Sequence, residues 1–428
     1  MTLRALSDVL DVHSGPYHIR LGEPTISGID IGTLPHSLPE PTATVLCLPL
    51  REALDADELA DWLGRWDDSA LLFLRHVKRV AVLDADGAAI RTLTLTWSED
   101  ESATCLVDGQ VLAVQRRHAR APDGRAWLVH SAEAPTPQDV SRVRKASAAT
   151  VLLGLALPLH PEDNGVIYAG LPLAETSVPL RVNAQFDPVT SRTGLAPTRW
   201  NSAMLPLLAD LWVEVVEDLF LEMPVVAWDV VPLSGEADGR PGPVSVVEQL
   251  ERLLLDRART ELVARAAIAV EGTRLMLTEL AVEEPALEDV IGPSDVAALA
   301  CLGAALPMSA RDTGGRWRSV LDDWRSAGAL LPEPVTVEAA LVLLNDVSRT
   351  PGATIRLTAV ALGVGLADRL LRFPCVMTAD GARAVPPTAG ALQVLLLAPS
   401  ALAEQLGVGV RLAADHLAQS EAAQTVLT

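Results

Sequence analysis

Val182-Asn183-Ala184-Gln185-Phe186-Asp187-Pro188-Val189-Thr190-Ser191-Arg192-Thr193-Gly194-Leu195 runs straight into an apolar-periodic segment from Pro197 to Phe220, and the fold turns on how the two are joined. Val178, Leu180 and Val182 alternate at period two and read as one face of a strand. Asp187-Pro188 ends it, because proline cannot donate to a ladder and aspartate favours turns. A short polar loop then carries Ser191 and Arg192 to the mouth of a long helix. Pro197-Thr198 marks the start of that helix, with Thr198 as N-cap. Leu205, Leu208, Leu211, Trp212, Val215 and Leu219 recur at three- and four-residue steps and give it one buried face. The loop is therefore expected to stand braced between a sheet and a helix, a suitable mount for a side chain that must reach something outside.

Working outward, the 428 residues leave room for about two or three domains. Nearly half the chain is apolar, far from the composition of a disordered protein. Alanine and leucine dominate, and tryptophan is plentiful. The formal charge of −21 argues against a surface that neutralises nucleic-acid phosphates. Lys78 and Lys145 are the only lysines. Cys47, Cys105, Cys301 and Cys375 are far apart and form no CxxC pair, so neither a zinc ribbon nor a disulfide scaffold is indicated, and a cytoplasmic setting fits. The N-terminus lacks a signal-peptide pattern. The longest uncharged runs, Val296 to Ala310 and Ala391 to Ala403, are shorter than the roughly 18 residues a spanning helix needs.

The expected class is α+β, a mainly antiparallel sheet with long packing helices, followed by a mainly helical domain with a small hairpin. Residues 1–41 read as a remnant strand and linker, 42–233 as the α+β domain, 234–245 as a linker and 246–428 as the helical part. Asp55 to Trp66 reads as a helix with an acidic first turn, continued by an apolar helix over Ser69 to His76. Arg79 to Leu83, Ile90 to Trp97, Cys105 to Val107, Val111 to Arg117 and Trp127 to His130 alternate between turns at 85–87, 108–109 and 122–124, the pattern of an antiparallel meander. Val151 to Leu157 and Val166 to Leu171 add strands, and the opening segment is expected to close the sheet. Further on, Val246 to Ala267, Val296 to Leu306, Trp317 to Ala327, Val337 to Val347 and Thr358 to Arg372 read as helices. Cys375 to Pro386 reads as a hairpin turning at Asp380-Gly381, and Pro399 to Leu427 as two weak helices.

Several motifs are missing. Neither lysine follows a glycine, which removes any GxxxxGK phosphate loop. Gly363-Val364-Gly365 and Gly407-Val408-Gly409 lack a third glycine and read as turn or packing glycines. The eight histidines include no HExxH and no metal-ligand cluster, and the five-residue step from His13 to His18 is not ligand spacing on a helix. No metal site is expected. No GxSxG elbow occurs. Trp200, Trp212, Trp317 and Trp324 fall at helical spacings and read as core. Asp322-Asp323 reads as a solvated helix face, and Asp187 and Asn183 as turn-formers.

Gly165-Val166-Ile167-Tyr168-Ala169-Gly170-Leu171-Pro172-Leu173, with Thr176-Ser177-Val178-Pro179-Leu180-Arg181-Val182-Asn183-Ala184-Gln185-Phe186, resembles the sacsin repeat region. Asp187 to Leu195 is similar to the arginine-bearing segment in the middle domain of heat-shock ATPase chaperones of the ninety-kilodalton class. Val45 to Arg51 and Ala70 to Val77 resemble that family's "lPLR" strand and "llFLk.v" helix, and Phe373 to Gly381 the sacsin-type hairpin. The resemblance spans roughly residues 42 to 390 and implies a chaperone-type ATPase of the GHKL class. In that family one middle-domain arginine reaches the γ-phosphate, and Arg192 is the matching position, with Ser191 beside it as a nucleotide contact. An arginine there stays charged and grips phosphate with two parallel hydrogen bonds.

The departure is equally plain. Asparagine occurs only at 164, 183, 201 and 345, so no ExxxNxxD helix precedes this region. ATP with magnesium is therefore expected only through an ATP-binding domain upstream or in trans, with none held by this chain alone. The chain reads as a fragment, as one partner of a separately encoded ATPase, or as an ATP-independent interaction module that keeps only the fold. Autonomous activity is not expected; protein clients are, nucleic acid and membrane are not, and a homodimer is compatible. From the residues alone, Arg192 also reads as a surface arginine paired with Asp187.

Overall fold

The computed structural model describes residues 7–22, 26–28, 44–49, 64, 66–74, 76–84, 88–138, 140–142, 148–191, 193–234, 244–270, 273–292, 295, 299, 316–377, 382–386, 395–396 and 411–412. It is a mixed α+β structure with mostly antiparallel sheets. The chain packs as two compact units, Met1–Val215 with Glu236–Leu254, and Val216–Gly235 with Leu255–Thr428.

In the first unit, β1 (Leu10–Ser14), β2 (Tyr17–Leu21), β3 (Ile26–Gly28) and β4 (Thr44–Cys47) form a separate four-stranded sheet in the order β3-β2-β1-β4. The opening segment therefore does not close the main sheet, as the sequence suggested. The turn at 15–16 lets β1 and β2 pair with each other, and Leu10 to Ser14 then spends its other edge on β4.

β5 (Arg79–Leu83) and β6 (Ala89–Thr94) make a hairpin, and β7 (Thr96–Trp97) begins the eight-stranded sheet. There β8 (Glu101–Val107), β9 (Gln110–Arg120) and β10 (Ala126–Pro135) run antiparallel as the meander expected, and β11 (Thr150–Pro158) continues it. β5 and β6, expected in the same meander, instead form a two-stranded sheet of their own. Asp108-Gly109 joins β8 to β9 with both residues at positive φ, 49° and 70°, the two-residue turn that an Asp-Gly pair favours. β12 (Gly165–Ala169), β13 (Leu171–Thr176) and β14 (Arg181–Asn183) complete the order β13-β12-β14-β11-β10-β9-β7, with β8 on β9. Only β12 and β14 run parallel in it. β11 lies between two strands and is buried along nearly its whole length, which is why it reads as an unbroken apolar run rather than an alternating one.

The odd-numbered face of β10, Trp127 and Val129, packs with Leu71, Leu72, Phe73, Leu93, Leu95, Ala119 and Tyr168. Ser69 to His76 is not the apolar helix expected: Asp68–Leu71 is one 3-10 turn capped by Asp67, enough to bury Ala70, Leu71 and Leu72 on the sheet. α1 (Arg199–Glu222) starts where Thr198 accepts from the backbone of Asn201 at 3.1 Å, as its N-cap role requires. Leu205, Leu208, Leu211, Trp212, Val215 and Leu219 are buried, as the periodicity predicts. Glu214 and Asp210, one turn apart on α1, accept from Leu106 and Asp108 N–H, each at 2.9 Å, so carboxylates cap one outward-facing donor of edge strand β8 and one of the turn that follows it.

In the second unit the described helices are Pro224–Asp229, Val263–Arg265, Arg316–Ser326, Val337–Ala340, Pro351–Gly363 and Ala367–Leu370, with the end of Val246–Arg257 and a π turn at Ala258–Leu262. Two-stranded pieces pair Ala267–Val270 with Thr273–Met276, Val376–Met377 with Arg383–Ala384, and Leu395–Leu396 with Arg411–Leu412. Leu287, Val335, Leu341, Leu344 and Leu357 anchor its core. The helix expected at Thr358 to Arg372 begins earlier, because Thr350 caps it and Pro351 takes its first turn. It stops at Gly363, followed by Gly365 at φ 82°. Asp323 is not solvated: it pairs with Arg259 at 2.8 Å and its side chain is 11% exposed, while Asp322 is 54% exposed. The four tryptophans named above are core. The helix expected at 55–66 is described only at Gly64 and Trp66, and that at 296–306 only at Leu299. Of the helices expected at 399–427 only Arg411–Leu412 are described, and they are strand, not helix, because they pair in parallel with Leu395–Leu396. Most of the linker 234–245 and the turns at 85–87 and 380–381 lie outside the described residues. Among the described residues, no helix is long and apolar enough to cross a membrane.

Candidate functional site

β14 is buried at all three positions. Asn183 is thus a strand residue, not a turn-former: its Oδ1 accepts from the Gly170 N–H at 2.9 Å, holding the tight β12–β13 connection where Gly170 takes φ 83°. Past Phe186, which is buried, the chain leaves the sheet and turns back on itself. Pro188 and Leu195 form a bridge, Val189 N–H donates to Gly194 O at 3.0 Å, and Ala196 N–H donates to Asp187 O at 3.0 Å.

The stem of this loop is clamped from α1. Asn201, fully buried, accepts from Asp187 N–H and donates to the carbonyls of Asp187 and Ala196, all at 2.7 Å. Trp200 donates its indole N–H to Gln185 O at 2.7 Å. From the other side, Arg142 donates Nε and Nη2 to Asp187 Oδ1 at 3.0 and 2.6 Å, and stands 5.4 Å over the Trp200 ring. Ser191 lies exposed at the tip, its Oγ 2.8 Å from Thr193 Oγ1. Arg192 lies outside the described residues. Of the expected pair, then, Ser191 is on an outward tip, and the carboxylate suggested as a partner for Arg192 is engaged by Arg142. Sequence reading missed Arg142 and Asn201. Their signals, one arginine of the basic run Arg142-Val143-Arg144-Lys145 and an asparagine three residues past a helix cap, are too common to select.

The opposite end of the same sheet carries a second cluster. Arg125 donates to Asp67 at 2.7 Å, Asp67 caps Ser69, and the Ser69 hydroxyl lies 3.1 Å from Tyr168 Oη. Arg181 pairs with Glu162, whose other oxygen lies 2.8 Å from His160 Nε2. Trp127 is fully buried in the middle, with the guanidinium carbons of Arg125 and Arg181 5.4 and 5.0 Å from its ring. Burial pushes the Asp67 carboxyl up, but bonds from Arg125 and Ser69 outweigh it and hold it below the usual carboxylate range. Burial pushes the Tyr168 phenol up. Opposite charges are matched around the indole, which makes this a structural network closing the sheet end.

His13 and His18, read as lacking ligand spacing on a helix, face each other across the β1–β2 hairpin with their Nδ1 atoms 3.0 Å apart. Burial and the neighbouring His18 hold the His13 pKa down. Among the described residues, no group of three or more histidine, cysteine, aspartate or glutamate side chains could hold a metal ion. Compared with known proteins, the chain matches no family model, no curated protein and no solved structure.

Proposed function

We propose that the chain is the middle and C-terminal part of a sacsin-like, chaperone-type ATPase, coupling the nucleotide state of an ATP-binding portion to client or partner binding. One observation carries the reading: the loop bearing Ser191 has its stem hydrogen-bonded to the first turn of α1 and to Arg142, and its tip turned outward. That is the mounting a phosphate-contacting arginine needs, since a guanidinium helps a phosphoryl transfer only where it is already positioned when charge develops. Arg192 would supply the two-pronged grip on the terminal phosphate, Ser191 a hydroxyl beside it, and the ATP-binding portion the nucleotide with its magnesium. The chain itself contributes positioning and charge.

The test is reconstitution. The chain is joined to, or mixed with, the ATP-binding portion that co-purifies with it from its native host, and turnover is measured with wild type and with Arg192→Ala. Wild-type chain alone should hydrolyse no ATP, and Arg192→Ala should abolish turnover by the combination while leaving the fold intact. Robust hydrolysis by the chain alone, or normal turnover with Arg192→Ala, overturns the reading. In the second case an ATP-independent interaction module takes its place.

A further inference from the structure

We infer that Arg142 is a positioning residue for the loop that carries Ser191 and Arg192. The inference rests on the reading above. Strands β10 and β11 pair antiparallel, and β14 runs antiparallel to β11, so the ends of β10 and β14 leave the sheet on the same side. The excursion from 136 to 149 departs there and is closed at its base by Thr136 N–H to Ala149 O at 3.0 Å and Thr136 Oγ1 to Ala148 O at 2.5 Å. Arg142 comes from this excursion yet spends its guanidinium on the other loop. Nε and Nη2 converge on Asp187 Oδ1, and Nη2 also points at Phe186 O, 3.4 Å away.

The side chains of Arg142 and Asp187 are 10% and 21% exposed, so the pair is largely withdrawn from water. In that setting a charge-assisted bond holds geometry far better than a surface ion pair does. Asp187 also stands at the base of the loop, four residues beyond the end of β14 and just before the Pro188–Leu195 bridge, so this bond ties the loop down where it begins. Arginine is needed for the fork: a lysine can reach the carboxylate but cannot lie flat over Trp200 or bond with two nitrogens at once.

The excursion and the loop could instead be tied together with no consequence for the tip, and the experiment separates the two. Native full-length chain is digested with trypsin, and cleavage of the Arg192–Thr193 bond is followed by mass spectrometry. Freeing the stem should raise cleavage there about tenfold or more in Arg142→Met, and less in Arg142→Lys, with the remaining tryptic bonds unchanged apart from the one after residue 142 that Arg142→Met removes. The reciprocal double variant Arg142→Asp with Asp187→Arg should restore slow cleavage, and Asp187→Asn guards against a fold failure specific to position 142. Cleavage at Arg192 that is unchanged in both Arg142→Met and Asp187→Asn overturns the inference. In the reconstituted ATPase, Arg142→Met should lower kcat with KM for ATP unmoved. Should Arg192→Ala leave turnover intact, the ATPase reading fails and proteolysis alone judges Arg142. Should Arg192→Ala abolish turnover while Arg142→Met alters neither kcat nor cleavage, only the positioning role fails.

Discussion

Replacing His130 with leucine probes the buried face of the large sheet through its response to acid. The ring sits on the even-numbered side of β10, 6% exposed, with Arg116 and Leu155 as its cross-strand neighbours. Burial, reinforced by the charges of Arg116 and His118, depresses its pKa from 6.5 to about 3. The unfolded chain therefore takes up a proton near 6.5 while the folded chain stays neutral there until about 3. The stability this group contributes is whole above the upper value and is lost progressively as the pH falls through that window. Each unit of pH inside it costs about 1.4 kcal/mol. Between about pH 7 and about pH 4.5 the wild type should thus lose about 2.5 kcal/mol more than His130→Leu. The variant cannot titrate, and its loss of Nδ1 removes no described hydrogen bond. Carboxylates such as Asp11 and Asp67, held low by Arg20 and Arg125, are common to both proteins and cancel in the difference. Hydrogen exchange of peptides from β10, read by mass spectrometry at several pH values, gives the local opening free energy directly. A difference between the two proteins that does not vary with pH, or a His130 ring resonance titrating near its ordinary value, would refute the account.

Two further substitutions follow from packing. A Cβ at Gly165 would stand 1.9 Å from Leu180 O and 2.2 Å from Val178 O, backbone atoms that cannot swing aside. Gly165→Ala should destabilise by about 3 kcal/mol or more, seen as loss of soluble yield and a lowered denaturation midpoint. Asn201→Ala strips three hydrogen bonds from the loop stem at a fully buried position and should cost about 3 kcal/mol, with exchange protection lost first at Asp187 and Ala196.

What could be read from the sequence was local. Asp108-Gly109 announces a hairpin because few residue pairs tolerate two positive φ angles, and Thr198 announces a helix start because its hydroxyl can satisfy an orphan N–H. The apolar spacing along α1 reports its buried face for the same reason. What escaped was set by pairings distant in sequence. Nothing in Leu10 to Ser14 says that its second edge meets Thr44–Cys47 rather than the large sheet. Asn183 looks like a turn residue until β12 is brought parallel to it and Gly170 claims its side chain. Asp323 looks solvated until Arg259 arrives from 64 residues away. At the candidate site the same rule holds: the loop and its flanking elements were legible, while Arg142, 45 residues upstream of its aspartate, was not.

Under the proposed function, the loop's bonding leaves two ways in which Arg192 could serve. The described bonds at its stem come from Trp200, Asn201 and Arg142, whereas the side-chain bond described at its tip joins Ser191 to Thr193, two residues of the tip itself. A tip so disposed can meet a phosphate or a protein surface, and charge alone would suit either. Geometry distinguishes them, because a guanidinium offers a flat pair of donors and an ammonium a single rotating point. Arg192→Lys should therefore leave association with the ATP-binding portion within about threefold of wild type, since the charge that steers encounter is kept. If Arg192 grips the phosphate as proposed, turnover should fall by about a hundredfold or more, because such a contact would need both prongs. Sedimentation of the mixture against its ATPase rate measures the two effects on the same sample. If lysine supports full turnover, the arginine is only a docking charge; if lysine abolishes association as well, the contact is one of shape with the partner surface, and in neither case does it grip a phosphate.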